Sequence, residues 1–260
     1  IQAGTSSSSA LVVSWLAFLI KAAAPNPERY LKPDILGELA YLAEVDEFNE
    51  AGGRMDQYAS AFGGIVAFDF SGELSAHPLP TVMKEFVLGD SMQIKPTQDT
   101  LKRVRTGQEW GLVALKEFLS FERSLELKSE QISPFLPKIA EPLRPYLYAL
   151  VKNKDIAQSA IEEMSCPEPR TDVLVQLMND HQIVLRDELR LSTPRLNAMI
   201  DGAMSAGALA AKINGSGEGG CMFAYCPGKQ AAVSEAIARA GGRPYVIKVG
   251  SGAAAEQVAG

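Results

Sequence analysis

The first long apolar stretch runs from Ala10 to Ile20 and follows an unbroken serine run, Ser6 to Ser9. It is too short to cross a bilayer, and it lacks the basic flank and small-residue cleavage site of a signal peptide. It reads as a buried helix. A proline-rich turn, APNPERYLKPD, leads to a second helix over about 35–47, with Leu36, Leu39, Ala40 and Ala43 on one face. NEAGGRMDQYASAFGG follows, bracketed by Gly52-Gly53 and Gly63-Gly64; GIVAFDF then reads as a strand, and SGEL as a turn toward another short strand. EFVLGDS, over 85–91, opens a new unit as a strand. The helix beyond Thr97 runs through Val104, Trp110, Val113 and Leu119. Helical pattern fills about 120–212, punctuated by Pro134, Pro137, Pro142 and Pro145. Ser192-Thr193-Pro194 marks a helix start, a hydroxyl N-cap before proline, and that helix carries RLNAMIDGAMSAGALAAKI. CMFAYC is then a strand, KQAAVSEAIARA a helix closed by Gly241, and PYVIKV a final strand. The pattern describes two α+β units joined somewhere near residues 72–84, without internal repeats.

Composition narrows the picture. At 260 residues, 47% hydrophobic and 22% charged, the chain is an ordinary globular one. A net charge of −6 with no Lys/Arg block argues against a nucleic-acid partner. An acidic protein still binds anions where backbone N–H groups and a metal ion supply the positive field. The three cysteines, Cys166, Cys221 and Cys226, are too sparse for a disulfide framework and point to a reducing compartment, with Cys221 and Cys226 in the core. The two histidines, His77 and His181, leave almost nothing from which to build a Ser-His-Asp triad or a histidine metal site. A cytoplasmic location with no membrane association is expected. The missing initiating methionine suggests a segment upstream of Ile1.

Three places could carry chemistry. In Gly4-Thr5-Ser6-Ser7-Ser8-Ser9-Ala10, small residues let several N–H groups point one way, and the following helix adds its positive end. A phosphate fits there, and a serine hydroxyl is a hard oxygen suited to Mg²⁺. The plain alternative is an N-cap behind a solvated linker. No Gly-Lys-Ser/Thr follows, so this is not a Walker A loop. The second place is the pair Glu44 and Asp56. Phosphoryl transfer uses one carboxylate for a metal and another to accept or orient the proton of the attacking hydroxyl. Asp56 lies among Met55, Tyr58, Ala59, Ala61 and Phe62, which predicts partial desolvation, whereas Glu44 could equally be a solvated helix position. The third is KINGSGEGGCMFAYC. Gly215, Gly217 and Gly220 satisfy G-x-G-x-x-G, but a helix before and a strand after is the wrong order for a dinucleotide fold. What remains is a loop whose backbone closely approaches a ligand or another loop.

These three segments, in this order, resemble the signature motifs of the GHMP kinases. Gly4 to Ala10 is similar to the family's Gly-Leu-Ser-Ser-Ser-Ala phosphate loop. GGRMDQYASAFGG is similar to the galactokinase segment Cys-Gly-Ile-Met-Asp-Gln. STPRLNAMIDGAMSAGALAAKINGSGEGGC is similar to the third motif, which opens with Thr-Pro and closes in a glycine-rich run ending in cysteine. The resemblance implies an α+β, two-lobed fold. Residues 1–83 would be the remainder of a ribosomal S5 domain 2-like ATP-binding lobe, and residues 84–260 a ferredoxin-like lobe with extra helices. It implies ATP and Mg²⁺ as cofactors: Gly4, Thr5, Ser6, Ser7, Ser8 and Ser9 would hold the phosphates, Ser8 and Glu44 the metal. Asp56 would act on the acceptor hydroxyl, and Gly53, Gly215, Gly217 and Gly219 would lie near the acceptor. The activity implied is phosphorylation of a small sugar at its anomeric hydroxyl, because Met55-Asp56-Gln57 resembles the sugar branch. The alternatives are a mevalonate-type kinase acting on a non-sugar alcohol, and a non-catalytic sugar- and ATP-binding sensor. Thr5, Ser9, Arg54, Lys102 and Glu218 depart from the galactokinase pattern. The family's first motif has no counterpart and is expected upstream of Ile1, in the same lobe, so the 260-residue segment alone is expected to be inactive.

Overall fold

The computed structural model describes residues 5–49 and 52–256. They divide into two compact units, one within residues 1–81 and 248–260, the other from Val82 to Ile247.

The first unit contains α1 (Ser7–Ala23), α2 (Pro27–Tyr30), α3 (Pro33–Tyr41) with a π-helical turn over Leu42–Asp46, and α4 (Met55–Phe62). An antiparallel hairpin follows, β1 (Ile65–Asp69) and β2 (Ser75–Leu79). Its core is Val13 and Ala17 of α1, Leu36 and Ala40 of α3, and Ala61 of α4, at the i, i+4 spacing that stacks side chains on one helix face. The expectation of a buried first helix needs correction. Only this stripe is covered, and Leu11, Trp15 and Phe18 on the other side are exposed, with the Trp15 and Phe18 rings stacked 5.3 Å apart.

The C-terminal segment belongs to this unit, which corrects the expectation that residues 84–260 form one lobe. Gly64 N donates to Gly250 O (2.8 Å), Ala253 N donates to Ser60 O (3.1 Å), and Ala253 and Ala255 pack on the α1/α3/α4 core. Glycine makes the crossing possible. A Cβ on Gly63 (φ +63°) would lie 1.9 Å from Gly252 N, and one on Gly252 would lie 2.2 Å from Ala61 O.

The second unit holds a four-stranded antiparallel sheet in the order β4-β5-β3-β6, made of β3 (Phe86–Asp90), β4 (Ala210–Ile213), β5 (Cys221–Tyr225) and β6 (Arg243–Ile247). Between β3 and β4 come α5 (Thr97–Leu115), α6 (Ser129–Ile132), α7 (Arg144–Met164), α8 (Thr171–Ile183) with a second π-helical turn (Val184–Glu188), and α9 (Pro194–Ser205). The helix α10 (Gln230–Arg239) joins β5 to β6. This is the β-α-β-β-α-β arrangement of a ferredoxin-like unit with helices added. Val87, Met222 and Ala224 of the sheet meet Leu196, Met199 and Ile237 of the helices in a dry core.

Two sequence expectations fail here for identifiable reasons. The helix capped by Thr193, whose Oγ1 accepts from Leu196 N at 3.2 Å, stops at Ser205. Gly207 at φ +100° then turns the chain into β4, where the sequence pattern predicts helix. In α5, Trp110 and Val113 are exposed, and Leu119 lies beyond the helix end. The buried positions are Thr100, Gly107, Gly111 and Leu115, because α7 presses close enough that a Cβ on Gly107 would meet the Tyr146 ring at 2.5 Å. No helix among the described residues is long and apolar enough to cross a membrane.

Candidate active site

In the first unit, Ser7, Ser8 and Ser9 form the opening turn of α1, behind Ser6 in the left-handed region (φ 54°, ψ 33°). Among the described residues, no side chain caps this helix. Its first N–H groups lack intrahelical partners by geometry, and the left-handed residue before a right-handed turn gathers them into an anion-binding concavity. Ser8 is exposed and Ser9 only 2% exposed, so of this pair it is Ser8 whose hydroxyl reaches solvent. Thr5 Oγ1 and Ser7 Oγ lie 3.4 Å apart at the entrance. Gly4 falls outside the described residues.

Glu44 sits in the π-helical turn after α3. Leu36 and Ala40 are buried, and the next buried position is Val45, five residues on, while Ala43 is exposed. The wider turn shifts the helix register and leaves Glu44 half-buried on the side facing α4, a use of π-bulges that recurs at functional sites. α4 buries Gln57, Tyr58 and Ala61. Asp56, in the first turn of the same helix, therefore faces out and is exposed, which corrects the expectation of partial desolvation. Gly53 precedes that turn, also exposed, with open space where a Cβ would stand.

Sequence reasoning missed Gln57. It is 2% exposed, and its Nε2 donates to Glu44 Oε2 at 2.7 Å. An ionised carboxylate only accepts, so the amide nitrogen must face it. Gln57 Oε1 is left buried without a hydrogen-bond partner among the described residues, an arrangement that costs about 1–3 kcal/mol. The available signal was a polar residue at an inward position of a short helix. Nearby, Tyr58 donates from its hydroxyl to Glu38 (2.7 Å), and Arg54 pairs with Glu38 (3.4 Å) and lies 4.7 Å from the centre of the Tyr41 ring. Burial and the Glu38 carboxylate push the Tyr58 phenol well above its ordinary range, so it stays a donor that ties α4 to α3.

In the second unit, the glycine loop connects β4 to β5, with Asn214 N donating to Cys221 O (2.8 Å). Strands on both sides of the glycines replace the expected helix-then-strand order, and the dinucleotide reading stays excluded. What the glycines approach is the chain itself. A Cβ on Gly217 would lie 2.5 Å from Leu191 O, and one on Gly219 would lie 2.9 Å from Gln93 O. Gly215 is also at positive φ (68°). Glu218 (φ 56°) latches the loop to α5 through Arg103 (2.6 Å) and Thr100 (2.5 Å). Cys221 and Cys226 are buried, and burial lifts the Cys221 thiol to about 11, which fits a core role.

Among the described residues, no cluster of three or more His, Cys, Asp or Glu could hold a metal ion by itself. Mg²⁺ does not need one, since it is commonly held by one or two carboxylates together with phosphate oxygens and water. The half-buried Glu44 carboxylate and the exposed Ser8 hydroxyl are hard oxygens that suit it.

Residues 1–64 match the family model "GHMP kinases N terminal domain", and residues 168–243 match "GHMP kinases C terminal". The chain belongs to the GHMP kinases. A mevalonate kinase of Thermococcus gammatolerans is 29% identical over 250 residues, covering 96% of this chain and 64% of that protein. A mevalonate kinase of Thermococcus onnurineus is 40% identical over 115 residues, 44% of this chain and 33% of its own length. The crystal structure of Lactococcus lactis galactokinase complexed with galactose superposes with a TM-score of 0.72 at 20% identity, over 95% of this chain and 66% of that one. The fold is thus the GHMP kinase fold, and the chain spans just under two thirds of the length of a curated relative that it matches nearly end to end.

Proposed function

We propose that the protein to which this chain belongs is an ATP-dependent small-molecule kinase that phosphorylates a hydroxyl of a non-sugar alcohol, of the mevalonate type. The alignment of 96% of the chain with a mevalonate kinase carries this reading. It reverses the preference for a sugar that Met55-Asp56-Gln57 suggested. In this reading the N–H groups at Ser6 to Ser9, with Thr5 at the entrance, hold the nucleotide phosphates. Ser8 and Glu44 hold Mg²⁺, which when bound offsets the phosphates' negative charge. Asp56 accepts the proton of the acceptor hydroxyl as that oxygen bonds to the γ-phosphorus and the bond from phosphorus to the ADP oxygen breaks. An exposed carboxylate suits this work, because it is open to an incoming alcohol. Gly53 leaves open space before Asp56, and Gly215, Gly217 and Gly219 preset the backbone surface of the 214–220 loop.

A sugar acceptor is the second reading, favoured by the Met55-Asp56-Gln57 run alone. ADP release from the full-length protein, measured over a panel of mevalonate, galactose and other hexoses, separates the two. Turnover with mevalonate and none with sugars is the expected result. Turnover with sugars alone reverses the assignment, and ligand binding without any turnover favours the non-catalytic sensor.

A further inference from the structure

We infer that Gln57 is a positioning residue for the Glu44 carboxylate, an inference that rests on the metal-binding role proposed for Glu44. Its amide is buried and held at its nitrogen. The side chain sits at an inward position of α4, 2% exposed, and its Nε2 donates to Glu44 Oε2 at 2.7 Å. Glu44 itself stands in a π-helical turn, where the backbone hydrogen-bond pattern is locally widened, so helix geometry alone defines its direction less firmly than in an α-helix. A buried donor from the neighbouring helix removes that freedom. It holds one carboxylate oxygen and leaves the other to serve a cation.

Packing does not account for this amide. A leucine or methionine of similar volume would fill the same space without leaving Oε1 buried and unpartnered. Asp56, the next residue back, points to solvent from the same turn. One helical turn thus presents an outward carboxylate for the acceptor and an inward amide for the metal ligand.

The test uses the full-length protein with a non-hydrolysable ATP analogue and Mn²⁺, whose binding is followed by electron paramagnetic resonance. Gln57→Met is expected to weaken Mn²⁺ in the ternary complex by about 10-fold or more, with metal-free nucleotide affinity unchanged. Glu44→Gln is expected to weaken it at least as much, and the double variant no further than Glu44→Gln alone. Wild-type Mn²⁺ affinity in Gln57→Met beside a weakened Glu44→Gln overturns the inference and leaves the metal reading standing. Equal weakening by Gln57→Met in the Glu44→Gln background also overturns it, since Gln57 would then act independently. If Glu44→Gln binds Mn²⁺ normally, the metal assignment fails and the inference falls with it. Should Gln57→Met lose its cooperative thermal transition, Gln57→Asn, which keeps an amide but falls a methylene short of Glu44, is read by the same criteria.

Discussion

Asp56 and Gln57 are adjacent in sequence and face opposite ways, and the short helix that carries them explains why. With Gln57, Tyr58 and Ala61 turned inward, Asp56 has no neighbour to bury it. Replacing it should therefore leave the fold alone. Asp56→Asn in the full-length protein is expected to lower kcat by about 10²–10⁴-fold, the usual weight of a general base, with nucleotide affinity and melting temperature unchanged. Wild-type turnover in that variant removes Asp56 from the chemistry. Ser8, Glu44 and Asp56 were singled out in the sequence mainly through the resemblance to the GHMP kinase motifs, since Glu44 by itself could equally be a solvated helix position. Gln57 was not, because its meaning depends on which side of α4 is buried, and that depends on α3 packing against it. Tyr58 and Gly37 show the contact: a Cβ on Gly37 would come within 3.0 Å of the Tyr58 ring.

Among the elements, the sequence is clear where apolar periodicity coincides with burial and opaque where glycine forms the contact face. The hairpin β1–β2, the strands β3, β5 and β6 and the helices α9 and α10 follow from alternation, caps and Gly241. The buried face of α5 does not, since Gly107 and Gly111 carry no hydrophobic signal while Trp110 and Val113 do. Two opposed effects decide what happens at Gly107. Alanine gains about 1 kcal/mol of helix propensity over glycine. Its Cβ would meet the Tyr146 ring at 2.5 Å, and overpacking costs about 1–3 kcal/mol. Gly107→Ala is expected to be net destabilising in urea unfolding, and Gly107→Ala with Tyr146→Leu less so. A stabilised Gly107→Ala would mean that the helices separate easily. The return of the C-terminal segment was equally hidden, because strand pairing and glycine crossings between residues 60–64 and 250–253 are non-local. Gly63→Ala meets both a positive φ and backbone 1.9 Å away. It should cost about 3 kcal/mol or more and speed proteolysis within 248–256. Unchanged proteolysis there would show that the tail does not depend on this crossing.

Across the chain as a whole, the net charge of −6 and one half-buried imidazole make the same pH interval hazardous. His181 of α8 lies between Asn179, which donates to Leu209 O and accepts from Ala211 N, and Gln182, which accepts from Ile213 N. These side chains cover the free edge of β4, where an uncovered strand would invite pairing with another chain. Burial first, and then the Lys212 ammonium, depress the His181 imidazole from 6.5 to about 4. In the unfolded chain the imidazole takes up its proton near 6.5, whereas in the folded protein it stays neutral until about 4. The unfolded state therefore binds the extra proton throughout that window. Stability contributed by the neutral histidine is complete above pH 6.5 and declines by about 3 kcal/mol as pH falls to 4. The net charge passes through zero near pH 5.1, inside the same range, so opened molecules there lose the repulsion that keeps them apart. Urea unfolding of wild type and His181→Gln at pH 7 and pH 4.5 isolates the imidazole from the carboxylates that both proteins share. The wild type is expected to lose about 2–3 kcal/mol more than the variant on acidification. Parallel losses in the two proteins would show that His181 is already solvated, and that the acid lability of the sheet edge lies with the carboxylates.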